Sequence, residues 1–171
     1  MTGITEYKIT FRNQLKSLEF LIYGSFMFML LIFILFINEE DISELLLFFS
    51  VYYLVLFLPT LFLHLEYFFK NKGDVFKVDG IKKFISFNKE KAISFNDIES
   101  IIYVMPPVWH RKSIIRFFPF EDYHYAEINL KSGEQFILTC LMAYPVEAAL
   151  EPITEVKIQK RKRLLASTWL G

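Results

Sequence analysis

FLIYGSFMFMLLIFILFI, residues 20–37, is eighteen residues without a charge, and LLLFFSVYYLVLFLPTLFLHL, residues 45–65, repeats the pattern with only His64 able to carry one. A hydrocarbon core of ~30 Å needs about 20 residues of helix. Both stretches meet that length. The buried hairpin of a water-soluble helical protein would keep a polar stripe at helical spacing, and neither stretch has one. A cleaved leader fits no better, because the first run is too long for its apolar region and continues into Asn38-Glu39-Glu40-Asp41 without a small-residue cleavage site. The sequence therefore predicts two membrane spans, at about 20–37 and 45–65.

Their connection, NEEDISE at residues 38–44, holds four acids and no base, and is short enough only for a tight antiparallel turn. Lys8, Arg12 and Lys16 precede the first span, while Lys70, Lys72, Lys77, Lys82 and Lys83 follow the second. Under the positive-inside rule both termini are cytoplasmic and the acidic turn is external. The lone Cys140 suits a reducing compartment and excludes an internal disulfide framework. The same segregation accounts for the composition: 54% hydrophobic residues and 18% aromatics in a chain of 171 whose 19 basic and 19 acidic side chains cancel. Disorder is excluded by that apolar content. Pro59 predicts a kink in the second span by leaving the Val55 carbonyl without its helical donor. Gly24, Ser25 and Ser50 are small enough for helix contact without forming a GxxxG pattern, and no acid, Lys or Arg lies mid-span to build a proton or ion pathway.

After Tyr67-Phe68-Phe69 the pattern changes to short β-rich runs separated by turns, which divides the chain into an N-terminal segment with the hairpin, 1–70, and a second domain, 71–171. Val75–Val78 and Ile81–Phe87 flank Asp79-Gly80, a strong hairpin signal. Asn88-Lys89-Glu90-Lys91 reads as a turn, Ala92–Phe95 as a short strand, Asn96-Asp97 as a break, and Ile98–Met105 as a strand stopped by Pro106-Pro107. A three-residue loop at Ser132-Gly133-Glu134 would oppose Leu130 with Phe136, Ile128 with Leu138 and Ala126 with Cys140, gathering those side chains on one apolar face. Cys140 then reads as a core residue. Pro145 suits the start of a helix carrying Val146, Ala149, Leu150, Ile153 and Val156 at steps of three and four, with Pro152 kinking or dividing it.

Two spans followed by VFKVDGIKKFISF, AISFNDIESIIYV, YAEINLKSGEQFILTCLM and a C-terminal helix resemble the bacterial pleckstrin-homology-like (PH-like) membrane proteins, including the YcxB-like group. Ile93-Ser94-Phe95-Asn96-Asp97-Ile98 is the most specific part of the likeness. The resemblance implies a twisted seven-stranded antiparallel barrel closed by one helix, hence an α+β membrane protein in which a two-helix transmembrane hairpin carries a cytoplasmic PH-like barrel. In lipid-binding PH domains the phosphoinositide head group sits beside a long basic loop between the first two strands. Here that position reads as the tight Asp79-Gly80 turn, which argues against phosphoinositide binding.

No P-loop, dinucleotide fingerprint, HExxH or nucleophile elbow is present, so neither catalytic residues nor a cofactor or metal is expected. Glu121-Asp122-Tyr123-His124 could supply ligands or acid/base groups but reads equally as a loop entering a strand. Aromatics and cations interleave at Trp109, Arg111, Lys112 and Arg116, which suits a lipid interface or a protein partner, with Trp109 covering one end of the barrel as the plainer alternative. Lys157, Lys160, Arg161, Lys162 and Arg163 form a basic run that would circle a helix, followed by Leu164, Leu165 and Trp169, which could dip into the membrane interface. These features point to a non-catalytic, membrane-anchored interaction module of the bacterial inner membrane, an adaptor or small subunit of a protein complex. The alternatives are a sensor of anionic lipid at the cytoplasmic leaflet and an accessory component of a membrane enzyme or transporter. Membrane lipids and a protein partner or second copy are the expected partners; nucleic acid is not.

Overall fold

The computed structural model of the chain describes residues 3–37, 43–88, 92–110 and 118–169. Two long helices dominate one end. Helix α1 (Phe11–Ser17) leads through Leu18 into α2 (Glu19–Ile37), and α3 (Ser43–Asn71) returns antiparallel to it. Most of the acidic connection, residues 38–42, lies outside the described residues. At 1.5 Å per residue α2 is about 28 Å long and α3 about 43 Å. Both are long and apolar enough to cross a membrane, and α2 buries none of its residues. The two helices meet where Phe28 and Phe49 lie 4.5 Å apart, and where Ser25 Oγ bonds to the Tyr53 hydroxyl.

Helix α3 runs unbroken through Pro59 and is longer than the stretch expected to span. From Thr60 onward one stripe of it, Thr60, Leu63, Glu66, Tyr67 and Asn71, is buried against the rest of the molecule. Asn71 closes this seam: its Nδ2 donates to the Ile137 carbonyl at 2.9 Å and its Oδ1 accepts from Thr139 N at 3.2 Å. Amide groups at the border of a sheet are thereby satisfied by a helix side chain. The last three turns of α3 thus belong to the core of the β domain.

That domain consists of two four-stranded sheets. In the first, β1 (Ile4–Lys8), β2 (Val75–Asp79), β3 (Phe84–Phe87) and β4 (Ile93–Ser94) follow in order, each antiparallel to the next. In the second, β5 (Ile98–Met105), β6 (Tyr125–Leu130), β7 (Gln135–Thr139) and β8 (Lys157–Lys162) lie in the order β7-β6-β5-β8, with β8 parallel to β5. Inward side chains alternate along the strands as a half-exposed sheet requires: Phe76, Val78, Ile85, Ile101 and Ile128 are almost fully buried. Phe87 of β3 stacks on Phe136 of β7 at 4.5 Å, bringing the two sheets together. Two short helices, α4 (Pro107–His110) and α5 (Val146–Leu150), and 3₁₀ turns at Phe95–Asp97 and Pro119–Asp122 complete the description.

Several expectations change. The N-terminal segment, grouped with the hairpin from its sequence, supplies β1, whose pairing with β2 (Ile4 opposite Asp79, Lys8 opposite Val75) makes the helices an insertion between the first two strands. Asp79-Gly80 therefore joins the second and third strands, and the argument drawn from a tight turn between the first two does not apply. Nor is that turn a two-residue one. Asp79 pairs with Phe84, Lys83 takes φ 52°, and Asp79 Oδ1 accepts from Ile81 N and Lys82 N at 2.9 and 2.8 Å. The Asp side chain organises a four-residue loop from within. Ile93–Ser94 is shorter than expected, because Ser94 caps the 3₁₀ turn, accepting from Asn96 N at 3.3 Å. The turn expected at Asn88–Lys91 lies mostly outside the described residues.

In the β6–β7 hairpin Ile128 faces Phe136 and Ala126 faces Leu138, two residues away from the expected register. The loop is Lys131–Gly133, with Gly133 at φ 90°, a backbone conformation glycine adopts without strain. Because the slip is even, the same side chains stay on the apolar face. Strand β5 has the bounds expected of it. The C-terminal helix is a single turn and a half, not a long cap, since Pro152 and the residues after it leave helical geometry. The basic run expected to circle a helix is strand β8. Among the described residues the strands number eight, one pairing is parallel, and the two sheets do not close into a barrel.

Candidate functional site

Strand β8 reads KIQKRK and every one of its residues is exposed. It lies at the border of its sheet, paired to β5 from Ser100–Lys157 to Met105–Lys162. Strand geometry sends alternate side chains to opposite faces, so Lys157 and Arg161 share one face while Lys160 and Lys162 share the other. Arg161 reaches Glu127 of β6 at 3.8 Å. With Arg161 largely exposed, such a pair contributes well under ~1 kcal/mol. The run presents its cations along an edge in both directions, which a helix would not do.

The chain does not end there as a free tail. Arg163 N donates to the Met105 carbonyl at 3.2 Å, and its guanidinium reaches the Ser167 carbonyl at 3.4 Å. Residues 166–169 then close onto α3 around Glu66, a carboxylate with no exposed surface. Glu66 accepts from Ser167 Oγ at 2.8 Å, from Trp169 N at 3.1 Å, and from both the amide and the hydroxyl of Thr168. Tyr67 donates to the Ala166 carbonyl, and Tyr125 to that of Ser167 at 3.3 Å. A charge buried at this depth persists only with such a set of donors. Trp169 stays 60% exposed with its ring edge-on to Phe62 at 5.7 Å, and Leu65 and Phe69, further along α3, are also exposed. Glu66 was not singled out from the sequence; an acid immediately after an apolar run was the available signal, and nothing local names Ser167 and Thr168 as its partners.

Trp109 takes an inward position. Its indole N–H donates to the Glu121 carbonyl at 2.8 Å, and its ring lies 4.3 Å from that of His124, with Tyr144 edge-on at 6.1 Å. Trp109 is thus packed against its neighbours in the domain. Arg111, Lys112 and Arg116 lie outside the described residues. The Glu121–His124 segment is a packed corner: Glu121 Oε2 accepts from Phe118 N at 3.1 Å, Tyr144 donates to Asp122 at 3.2 Å, and fully buried His124 bonds the Asp122 carbonyl at 2.9 Å. Among the described residues no three His, Cys, Asp or Glu side chains converge as a metal site.

Burial raises the pKa of four titratable groups of the β domain. Burial pushes the Cys140 thiol up to about 11, and its sulfur lies 3.6 Å from Ser17 Oγ. A thiol so placed is a packing residue, not a nucleophile. Tyr123, whose hydroxyl lies 2.9 Å from His64 Nδ1, is likewise pushed upward, first by burial and then by Cys140. Burial and then Glu147 raise Tyr103 to about 12; burial and then Glu127 raise Tyr125 to about 12.

The surface so described offers one basic strand edge, one pinned C-terminal segment with an exposed indole, and two apolar helices. No curated protein and no solved structure matches the chain. The family described as PH domain matches residues 6–149, from within β1 to within α5, and so takes in strands β1 to β7 together with the helices inserted between the first two. The chain belongs to the PH domain family.

Proposed function

We propose that the chain is a non-catalytic, membrane-anchored interaction module, an adaptor or small subunit of a complex in the bacterial inner membrane. In this reading α2 and the first part of α3 span the bilayer with both termini cytoplasmic, and the PH domain offers the β8 edge to a protein partner. The observation that carries it is the contrast along the helices: α2 buries no residue, whereas α3 from Thr60 onward is built into the domain. An uncovered apolar helix of about 28 Å requires lipid or another helix around it. A domain seated on the other helix without a linker is held at a fixed height beneath that surface. Strand β8 adds a backbone edge that no other strand among the described residues covers, flanked by cations, a surface suited to an acidic extended segment.

Extraction of the full chain from its native membrane in mild detergent tests this. A partner retained in stoichiometric amount, and lost when Lys157, Lys160 and Lys162 are changed to Gln, is the expected result. The same cations favour a second reading, a sensor of anionic lipid, since each Lys or Arg near a negatively charged leaflet adds about 1 kcal/mol of attraction. A monodisperse protein without partner, whose affinity for anionic vesicles falls with salt, refutes the adaptor and supports the sensor.

A further inference from the structure

Helix α1 is built the wrong way round for a helix packed on a protein. Its polar residues face the domain: Asn13 Nδ2 donates to the Met142 carbonyl at 2.8 Å, and buried Ser17 lies against Cys140. Its apolar residues face outward, with Phe11 74% and Leu15 42% exposed. Arg12 and Lys16 stand beside them one residue on. Thr10 caps the helix, its side chain accepting from Asn13 N at 3.2 Å, and the helix meets α2 at Leu18 with only one residue between them.

At that junction a groove of about 580 Å³ opens, lined on the α1 side by Phe11, Leu15, Arg12 and Lys16 and on the α2 side by Ile22 and Tyr23. Glu19 is the one acid in its wall, against two bases. Lys16 Nζ also sits 5.7 Å from the centroid of the Tyr144 ring. Apolar surface continuing directly into an uncovered apolar helix, with cations at the level where that helix begins, matches an amphiphile with an acidic head.

We infer that this groove seats an anionic phospholipid of the leaflet from which α2 rises, its phosphate between Arg12 and Lys16 and its acyl carbons along Leu15, Ile22 and Tyr23, so that α1 is a second, in-plane attachment to the membrane. The inference rests on the membrane reading of α2 and α3, and names a lipid contact separate from β8. Long cationic side chains extend their apolar stems along such a surface while the charge meets the head group.

The test uses the full chain reconstituted into bilayers with a bimane label on a cysteine introduced by Phe11→Cys; Cys140 has no exposed surface and stays unlabelled. Brominated phosphatidylglycerol, diluted into phosphatidylcholine, should quench this label several-fold more than brominated phosphatidylcholine at equal mole fraction. The double variant Arg12→Gln/Lys16→Gln should abolish that preference while leaving reconstitution intact. Equal quenching by the two lipids, a water-like emission spectrum, or a preference that survives the double variant would each overturn the seat while leaving the spans standing. Failure of the unlabelled protein to enter bilayers at all overturns the membrane reading and the seat with it.

Discussion

Replacing Glu66 by Ala removes the acceptor around which the C-terminal segment folds back onto α3. Four hydrogen bonds go at once: those from Ser167 Oγ and Trp169 N, at 2.8 and 3.1 Å, and those from the amide and hydroxyl of Thr168, while Trp169 N keeps Ser167 Oγ as a second acceptor at 3.1 Å. Hydrogen bonds to a charged group contribute about 1.5–3 kcal/mol each and do not add fully. Leaving a buried donor without its acceptor costs about 1–3 kcal/mol. Taking about 3 kcal/mol for the set, and ~1.4 kcal/mol per tenfold, the amides of Thr168 and Trp169 should exchange with deuterium about 10²-fold faster in the variant. Exchange mass spectrometry on the full protein in detergent reads this directly. Amides in β6, such as Ile128, serve as the internal reference, since no donor to Glu66 belongs to that strand. Glu66→Gln keeps one carbonyl acceptor and should fall between. Unchanged exchange at residues 168–169 in Glu66→Ala would refute the account of the tail as pinned by this carboxylate.

Leu63→Ala should cost about 2–5 kcal/mol in chemical denaturation followed by Trp109 fluorescence, because Leu63 is fully buried against the domain; Phe62→Ala, one residue along and 40% exposed, should cost much less. Equal losses would contradict the two-faced reading of α3. Alkali should loosen the fold. Cys140 is raised from 9.0 to about 11, and Tyr103 and Tyr125 from 10.0 to about 12, so above pH 9 the unfolded chain releases protons that the folded one still holds. Stability is therefore intact below pH 9 and falls as pH rises through 11 to 12; Cys140→Ser should delay the onset, and a stability flat to pH 11 would contradict these shifts. Asp79→Ala should destabilise by about 1–3 kcal/mol, since Ile81 N and Lys82 N lose their acceptor at a residue 2% exposed, whereas Asp79→Asn, which keeps the oxygen, should lose much less.

What could be read from the chain followed the range over which the signal acts. Strand β5 is legible because apolar residues and β-branched chemistry fill Ile98–Met105 and two prolines end it. The faces of β6 and β7 are legible because side-chain alternation has period two, while their register is not, because it turns on which residue of Lys131–Gly133 adopts a positive φ. Strand β1 is five residues long, and its partner begins at Val75, beyond both helices. Nothing in ITEYK announces that pairing. Strand β8 is concealed by its own charge: a run of Lys and Arg reads as a solvated tail, and only β5, more than fifty residues upstream, selects an extended conformation for it. Among the candidate residues, the β8 cations remain at the surface and Trp109 turns inward, because its indole N–H found a carbonyl and its ring found His124. The Glu66 cluster was invisible because it joins residues a hundred positions apart, whereas the α1 groove is lined by residues 11–23 alone and was hidden because its orientation is set by Asn13 on Met142 and Ser17 against Cys140.

The pairing of β1 with β2 also sets a mechanical condition on the hairpin. Its two ends lead to neighbouring strands, α3 directly and α2 by way of α1, and those strands run about 4.8 Å apart and are stitched from Ile4–Asp79 to Lys8–Val75. Sliding α2 lengthwise past α3 would pull on α1, which Asn13 ties to Met142, and through it on that ladder, and α3 cannot yield in compensation because Asn71 ties it to β7. Piston motion is thereby resisted at its base. Tilting or splaying of the two helices about their domain ends leaves the ladder unstrained, so the sheet filters which movements in the helices reach the domain.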